Sequence, residues 1–549
     1  MGTLTTSELI VHCLENEGVE YVFGLPGEEN LHLLQALKSS SIQFITTRHE
    51  QGAAFMADVY GRLTGKAGVC LSTLGPGATN LMTGVADANL DGAPLVAITG
   101  QVGTDRMHIE SHQYLDLVAM FDPVTKWNTQ IVRPTNTPEI IRKGFKLAQQ
   151  EKPGAVHIDV PENIAAMSVE NAFSLAKDAR EPFYASFRSF NQAAEAISKA
   201  RQPLILVGNG AIRAHASELL TEFATHLQIP VVNTFMGKGV IPYTHPLALW
   251  TVGLQQRDHV SCAFDQADLI IAVGYDLIEY SPKKWNPGGQ TPIIHIGAQP
   301  AEIDSSYIPL VEVVGDITDS LAEIMKRADR TGKPKPNAVE VRSELVADYE
   351  RYAEDQAFPI KPQKLIYDLR QVMGPEDIVI SDVGAHKMWM ARHYHCDRPN
   401  TCLISNGFAA MGIAIPGALA AKLVHPDRRV VAVTGDGGFM MNSQELETAL
   451  RVGTPFVTLI FNDQAYGLIE WKQMNQFGES AFINFTNPDF VKLAESMGLK
   501  GYRVESAEAL IPTLAEALAQ NVPAVIDCPV DYQENLRFSQ RAGDLDCHI

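Results

Sequence analysis

Short apolar, β-branched runs alternate along this chain with stretches whose apolar residues recur at helical spacing, and glycine-rich turns separate the two. Residues 44–47, 67–71, 204–207, 269–273, 293–296, 378–382, 429–434, 456–461 and 524–527 are nearly continuous in apolar character. That is the composition of strands buried on both faces of a parallel sheet. Between such runs, residues 52–62 read as a helix of small residues and 444–450 as another. Alternation of this kind predicts the α/β class, with doubly wound parallel sheets. Three blocks are expected, at 1–170, 185–330 and 360–549. A polar stretch over 180–203 reads as a linker and a following helix, and a charged stretch over 326–355 separates the second block from the third. The first and third blocks have similar length and layout and are expected to face one another as a pair.

A length of 549 residues suits three domains of ordinary size, and 46% hydrophobic with 20% charged residues is typical of a soluble globular chain. The formal net charge of −20, with no basic run of note, argues against nucleic acid as a partner. The first residues lack a basic segment and a long apolar core. They read as a helix capped at Thr6 or Ser7 ahead of Glu8, not as a signal peptide. No stretch of 18 apolar residues predicts a membrane span. Seven scattered cysteines without CxxC spacing fit a reduced, cytoplasmic protein. The cluster His393-Tyr394-His395-Cys396 has no second ligand pair nearby in sequence, so core or surface use is expected rather than a metal site.

Candidate chemistry changes this picture at two places. Gly435-Asp436-Gly437-Gly438 follows the predicted strand 429–434, and the strand 456–461 runs into Asn462-Asp463. Two strand ends thus bring Asp436 and Asp463 to the carboxyl edge of one sheet, where ligands bind in open α/β folds. The glycines let the backbone approach an anion. Two carboxylates with diphosphate oxygens and a water suit octahedral Mg²⁺. Far upstream, the strand 44–47 ends in Arg48-His49-Glu50, and 67–71 ends in a turn carrying Gly75-Pro76-Gly77. His49-Glu50 begins like a zinc-protease motif, but Ala53 stands where the second histidine would be, so no zinc is implied.

GDGG followed by ND after a spacer in the high twenties, together with an early Glu and a GPG loop, resembles the signature of thiamine diphosphate (ThDP) enzymes. The resemblance runs end to end, to the family containing acetolactate synthase, pyruvate oxidase and benzoylformate decarboxylase. It implies pyrimidine-binding, middle and diphosphate-binding domains, with Mg²⁺ held by Asp436, Asp463 and the Ala465 carbonyl. Many members carry Asn at the position of Asp463; acetolactate synthases without flavin carry Asp. By the same resemblance Gly75, Gly77, Gly384, Ala385, His386, Gly437 and Gly438 line the cofactor. Glu50 would bond the aminopyrimidine, Met411 would wedge beneath the thiazolium, and the Ala409 carbonyl would accept from the aminopyrimidine. The cofactor is expected to bridge two chains, giving a homodimer or homotetramer.

Family chemistry is decarboxylation of a 2-oxo acid to an enamine. Ser111-His112-Gln113-Tyr114 resembles the His-Gln pair of flavin-independent acetolactate synthases, with Gln113 expected on a substrate carboxylate or oxyanion. Gly274-Tyr275-Asp276 and Trp285-Asn286 resemble their middle-domain segment, and the RFDDR segment of flavin-containing members is absent, so no FAD is expected. Biosynthetic synthases place a tryptophan where this chain has Lys472, with Trp471 displaced by one. A lysine entering the pocket would suit a second substrate carboxylate, the alternative being that Lys472 faces solvent on a helix, and His112 and His386 are expected to add positive or donor character. Together with likeness to 2-oxoglutarate decarboxylases built like acetolactate synthases, this favours 2-oxoglutarate going to succinic semialdehyde and CO₂. Condensation of two pyruvates to 2-acetolactate is the alternative.

Overall fold

The computed structural model describes residues 3–177, 183–254 and 258–543. Part of the polar stretch over 180–203 and the last six residues, with Cys547, lie outside the described residues. The apolar runs become three six-stranded sheets, every neighbouring pair parallel. The first contains β1 (Tyr21–Gly24), β2 (Gln43–Thr46), β3 (Gly68–Ser72), β4 (Leu95–Gln101), β5 (Trp127–Gln130) and β6 (Ala155–Pro161), in the order β2-β1-β3-β4-β6-β5. The second contains β7 (Pro203–Val207), β8 (Val231–Asn233), β9 (Ala248–Thr251), β10 (Leu269–Val273), β11 (Ile293–Gly297) and β12 (Pro309–Val314), in the order β9-β8-β7-β10-β11-β12. The third contains β13 (Ile378–Ser381), β14 (Cys402–Ile404), β15 (Val430–Gly435), β16 (Val457–Asn462), β17 (Lys500–Arg503) and β18 (Ala524–Pro529), in the order β14-β13-β15-β16-β18-β17. First and third sheets therefore share one strand order, while the middle sheet has another.

The chain divides into two compact units. One holds the first sheet with Gly407–Asp427 and Met440–Phe456; the other holds the second and third sheets. In the first unit, Val22, Val69, Leu71, Val96, Ile98, Val156 and Ile158 form a continuous core beneath the helix Thr6–Glu17. That helix is capped by Thr5, not by Thr6 or Ser7. The Thr5 hydroxyl accepts from the Glu8 N–H at 3.2 Å while the Glu8 carboxylate accepts from the Thr5 N–H at 2.7 Å.

The charged stretch read as a separator departs from expectation. Within it Val341–Glu350 is a helix that buries Val341 and Leu345, with Ala338 just before it, against the core of the middle sheet. Arg342 donates to the Ala248 carbonyl at 2.7 Å. An amphipathic helix with few apolar residues looks like a linker to a composition count, although two well-placed ones suffice to dock it. His393, Tyr394, His395 and Cys396 are buried, as core residues. Cys13, Cys70, Cys396, Cys402 and Cys528 are free thiols, whereas Cys262 is disulfide-bonded, which corrects the expectation of a fully reduced set for that residue. Among the described residues no helix is long and apolar enough to cross a membrane.

Candidate active site

Register explains how the first unit gathers its candidate residues. Gly24 pairs with both Thr46 and Leu71, so β1, β2 and β3 end side by side. Their continuations are the Leu25 loop, the Arg48-His49-Glu50 corner and the turn that opens helix α2 (Pro76–Asp91). Glu50 is the first residue of helix α1 (Glu50–Thr64), whose cap is His49, with its ring nitrogen accepting from the Gln51 N–H at 3.1 Å. Glu50 is buried, and Asn80 donates to its carboxylate at 2.9 Å. A Cβ on Gly77 would stand 3.3 Å from that carboxylate, and one on Gly75 would stand 2.9 Å from the Gln113 carbonyl. Gly75 needs its glycine for a second reason, a φ of 51°. Gln113 itself has a φ of 57°, strained for a residue with a side chain. Gln113 and His112 are exposed on their loop.

A residue missed by sequence reasoning completes this corner. Glu445, on the helix Glu445–Val452, is fully buried, and its carboxylate accepts from the N–H groups of Arg48 and His49, both at 3.0 Å. Thr448 donates to it at 2.7 Å. A Cβ at Gly52 would come within 2.7 Å of the same carboxylate, so the small residues of α1 make room for Glu445. Burial pushes Glu445 up to about 6, against the hydrogen bonds that hold its charged form.

In the second unit, Gly435 pairs with Phe461, so Asp436 and Asp463 stand just beyond adjacent strand ends. Asp436 is buried; its carboxylate accepts from the Gln464 N–H and from Asn487 Nδ2, both at 2.7 Å, and from the Gly437 N–H at 2.8 Å. Asn487, which also donates to Asn462 at 3.1 Å, was invisible in sequence because it lies on a loop between elements. Burial raises Asp436. Burial, and then the charge of Asp436, raise Asp463 to about 8. Ala465 is pinned by an isolated bridge to Asn484. A Cβ on Gly437 would stand 2.9 Å from the Tyr466 ring, and one on Gly438 would stand 2.9 Å from the Thr434 hydroxyl.

Gly384, Ala385 and His386 open the helix Ala385–His393 after β13, and a Cβ on Gly435 would stand 3.4 Å from the His386 ring. Burial holds His386 down to about 3, so of the positive or donor character expected there the neutral ring leaves the donor part. Two polar atoms here are buried without a hydrogen-bond partner among the described residues: His386 Nε2 and Tyr532 Oη. Tyr532 lies beside the same strand ends, since a Cβ on Gly467 would meet both Asp463 at 2.5 Å and the Tyr532 ring at 3.1 Å. Two adjacent carboxylates with no cationic partner among the described residues, orphaned polar atoms and a glycine-lined helix start fit a bound cation and an oxygen-rich anion. Among the described residues no three His, Cys, Asp or Glu side chains cluster as a metal site, so such a cation would depend on carbonyl and ligand oxygens as well.

Ala409 and Met411 belong to the first unit, and Ala409 has a φ of 59°. Lys472 does not join either group. On the helix Gly467–Phe477 it is exposed, while Trp471, about 100° around the axis, is buried and donates to the Ser539 hydroxyl at 2.7 Å. The expectation of a cation enclosed in a pocket is corrected: helical phase turns the tryptophan inward and the lysine to the surface.

Comparison with known proteins agrees with this layout. Residues 4–120 match the N-terminal TPP binding domain of thiamine pyrophosphate enzymes, residues 190–324 their central domain, and residues 382–528 their C-terminal TPP binding domain. The chain is 35% identical to acetolactate synthase of Bacillus subtilis (strain 168), over 97% of this chain and 94% of that protein. It is 36% identical to a probable acetolactate synthase large subunit of Methanocaldococcus jannaschii, over 98% and 94% respectively. It is also 35% identical to a catabolic acetolactate synthase of Raoultella terrigena, over 96% and 95%. With three matched domains in order and full-length relatives at this identity, the chain belongs to the thiamine diphosphate-dependent enzymes of the acetolactate synthase-like family.

Proposed function

We propose that this enzyme uses ThDP and Mg²⁺, without FAD, to decarboxylate pyruvate and join the product to a second pyruvate, giving 2-acetolactate. The observation that carries the reading is the adjacent Asp436–Asp463 pair, buried at Asp436 and half-buried at Asp463, whose repulsion a cation would relieve, at a strand edge whose glycines and helix start suit a diphosphate. The names of the relatives supply the substrate. When bound, ThDP supplies an electron sink for the pair released as a 2-oxo acid loses CO₂. Asp436, Asp463 and the Ala465 carbonyl would hold the cation; Gly437, Gly438, Gly384, Ala385 and His386 would surround the diphosphate. Glu50, desolvated and steered by Asn80, would share a proton with the aminopyrimidine ring. Gln113, set against Gly75, would bind a substrate oxygen.

Family resemblance is what supports completion of each site by a second chain, and helix α2 ties together two groups of site residues within one chain. It meets Glu50 through Asn80, and it meets residues 407–410 through Asp87 and Asp91.

A second reading, decarboxylation of 2-oxoglutarate to succinic semialdehyde, is favoured by one feature. The exposed loop around Gln113 also carries Arg106, His108 and His112, groups suited to a second carboxylate. Product analysis decides. Purified protein with Mg²⁺ and ThDP is offered each acid separately; acetolactate from pyruvate with inert 2-oxoglutarate sustains the first reading, and succinic semialdehyde replaces it with the second. A stoichiometric yellow chromophore would remove the flavin-free part.

A further inference from the structure

At the far end of α2 lies a buried cluster that the reaction does not use directly. Arg62 donates from Nε to Asp58 at 2.6 Å, and from Nη2 to Asp87 at 3.0 Å and Asp91 at 2.7 Å. All four side chains are at most 8% exposed. Three carboxylates against one guanidinium leave acceptor capacity over, and the structure shows where it goes. The Gly407 N–H donates to Asp91 Oδ1, and the Ala410 N–H donates to Asp87 Oδ1 at 3.3 Å.

Between those two anchors stands Ala409 in the left-handed region, at φ 59°. A side-chain-bearing residue holds such a conformation only where its neighbours impose it. Gly407 cannot be larger, because its Cβ would lie 2.6 Å from Asp91 Oδ1 and 3.0 Å from the Leu90 carbonyl.

We propose that Asp91 and Asp87 are positioning residues: by fixing the Gly407 and Ala410 N–H groups they aim the Ala409 carbonyl and set the height of the Met411 side chain. This rests on the reading of residues 407–411 as the support for the cofactor rings. Arg62 and Asp58 hold the two carboxylates in place, so the cluster acts as a bracket. The same helix carries Asn80, which steers Glu50. A shift of α2 therefore disturbs both kinds of site residue at once.

The test separates positioning from bulk support. Asp91→Ala removes the acceptor and the charge, while Asp91→Asn removes the charge and keeps an oxygen acceptor. Gly407→Ala keeps all four charged groups of the cluster and pushes the segment away from Asp91. Turnover of pyruvate and of 2-oxoglutarate, melting temperature, and ThDP binding to the cofactor-free protein by tryptophan quenching are measured for each. Asp91→Ala and Gly407→Ala are expected to lower kcat on the order of 100-fold, with KM for the 2-oxo acid little changed and ThDP affinity reduced. Asp91→Asn is expected to recover most of kcat despite a lowered melting temperature. Equal loss in Asp91→Asn and Asp91→Ala, or full kcat in Gly407→Ala, overturns the inference. If Asp91→Ala does not fold, Gly407→Ala decides. An unmodified protein that binds no ThDP removes the underlying reading, whatever the variants do.

Discussion

At the edge of the first sheet, Glu445 is buried among donors: two backbone N–H groups and a hydroxyl point at its carboxylate. At the edge of the third sheet, Asp436 has comparable donors, but Asp463, half-buried, stands beside Asp436 itself. Burial raises both Glu445 and Asp463, to about 6 and about 8. The difference between them is the neighbour. Hydrogen-bond donors oppose the cost of burying a charge, whereas a second carboxylate adds to it. One site is therefore complete as protein alone. At the other, two adjacent carboxylates oppose each other, a cost that a bound cation would relieve.

The largest expected effect tests the chemical group beside the completed corner. Glu50→Gln should lower kcat by about 10²- to 10⁴-fold while Mg²⁺ and ThDP still bind; steady-state rates with a binding titration check this, and near-normal turnover would refute the assigned role. Asp436→Ala attacks the incomplete site. It should weaken ThDP binding by about 10- to 100-fold, with partial rescue at high Mg²⁺, read by titrating the cofactor at two metal concentrations. Rescue to wild-type affinity at low Mg²⁺ would end the cation argument.

Asp463→Asn sharpens the contrast from the other side. It keeps an oxygen ligand and removes the repulsion, so the metal-free protein should melt a few degrees higher, while excess Mg²⁺ narrows the gap. A lower melting temperature without metal would mean that the two carboxylates do not oppose each other.

Glu445 gives a pH test. Its value in the folded chain lies above the ordinary glutamate value, so the folded state binds the extra proton between about pH 4.5 and 6. Its contribution is favourable below that window and is lost as pH rises through about 6, a change of about 2 kcal/mol for this fully buried group. Glu445→Gln should flatten that part of the melting-temperature profile; an unaltered profile assigns the slope elsewhere. The smallest effect belongs to Lys472→Ala. An exposed helix lysine should change KM for pyruvate and 2-oxoglutarate by less than about twofold, since surface substitutions cost little. A selective rise for 2-oxoglutarate would restore the dicarboxylate pocket.

Local sequence determined the three α/β blocks, the strand ends that carry Glu50, Asp436 and Asp463, and the glycines that must stay small there. Each of these depends on residues close in the chain, on apolar period and on turn chemistry. Lys472 shows the limit of that reading: spacing marked the position, and helical phase alone turned it outward. Tertiary structure decided what meets across long separations. Glu445 reaches Arg48 and His49 from nearly 400 positions away, Asp91 holds Gly407, and Tyr532 comes to rest beside the strand end at Asp463. Nothing local distinguishes these residues from ordinary helix or loop positions. Their roles arise because buried N–H and carboxylate groups must find partners, and only the folded chain says which ones are within reach.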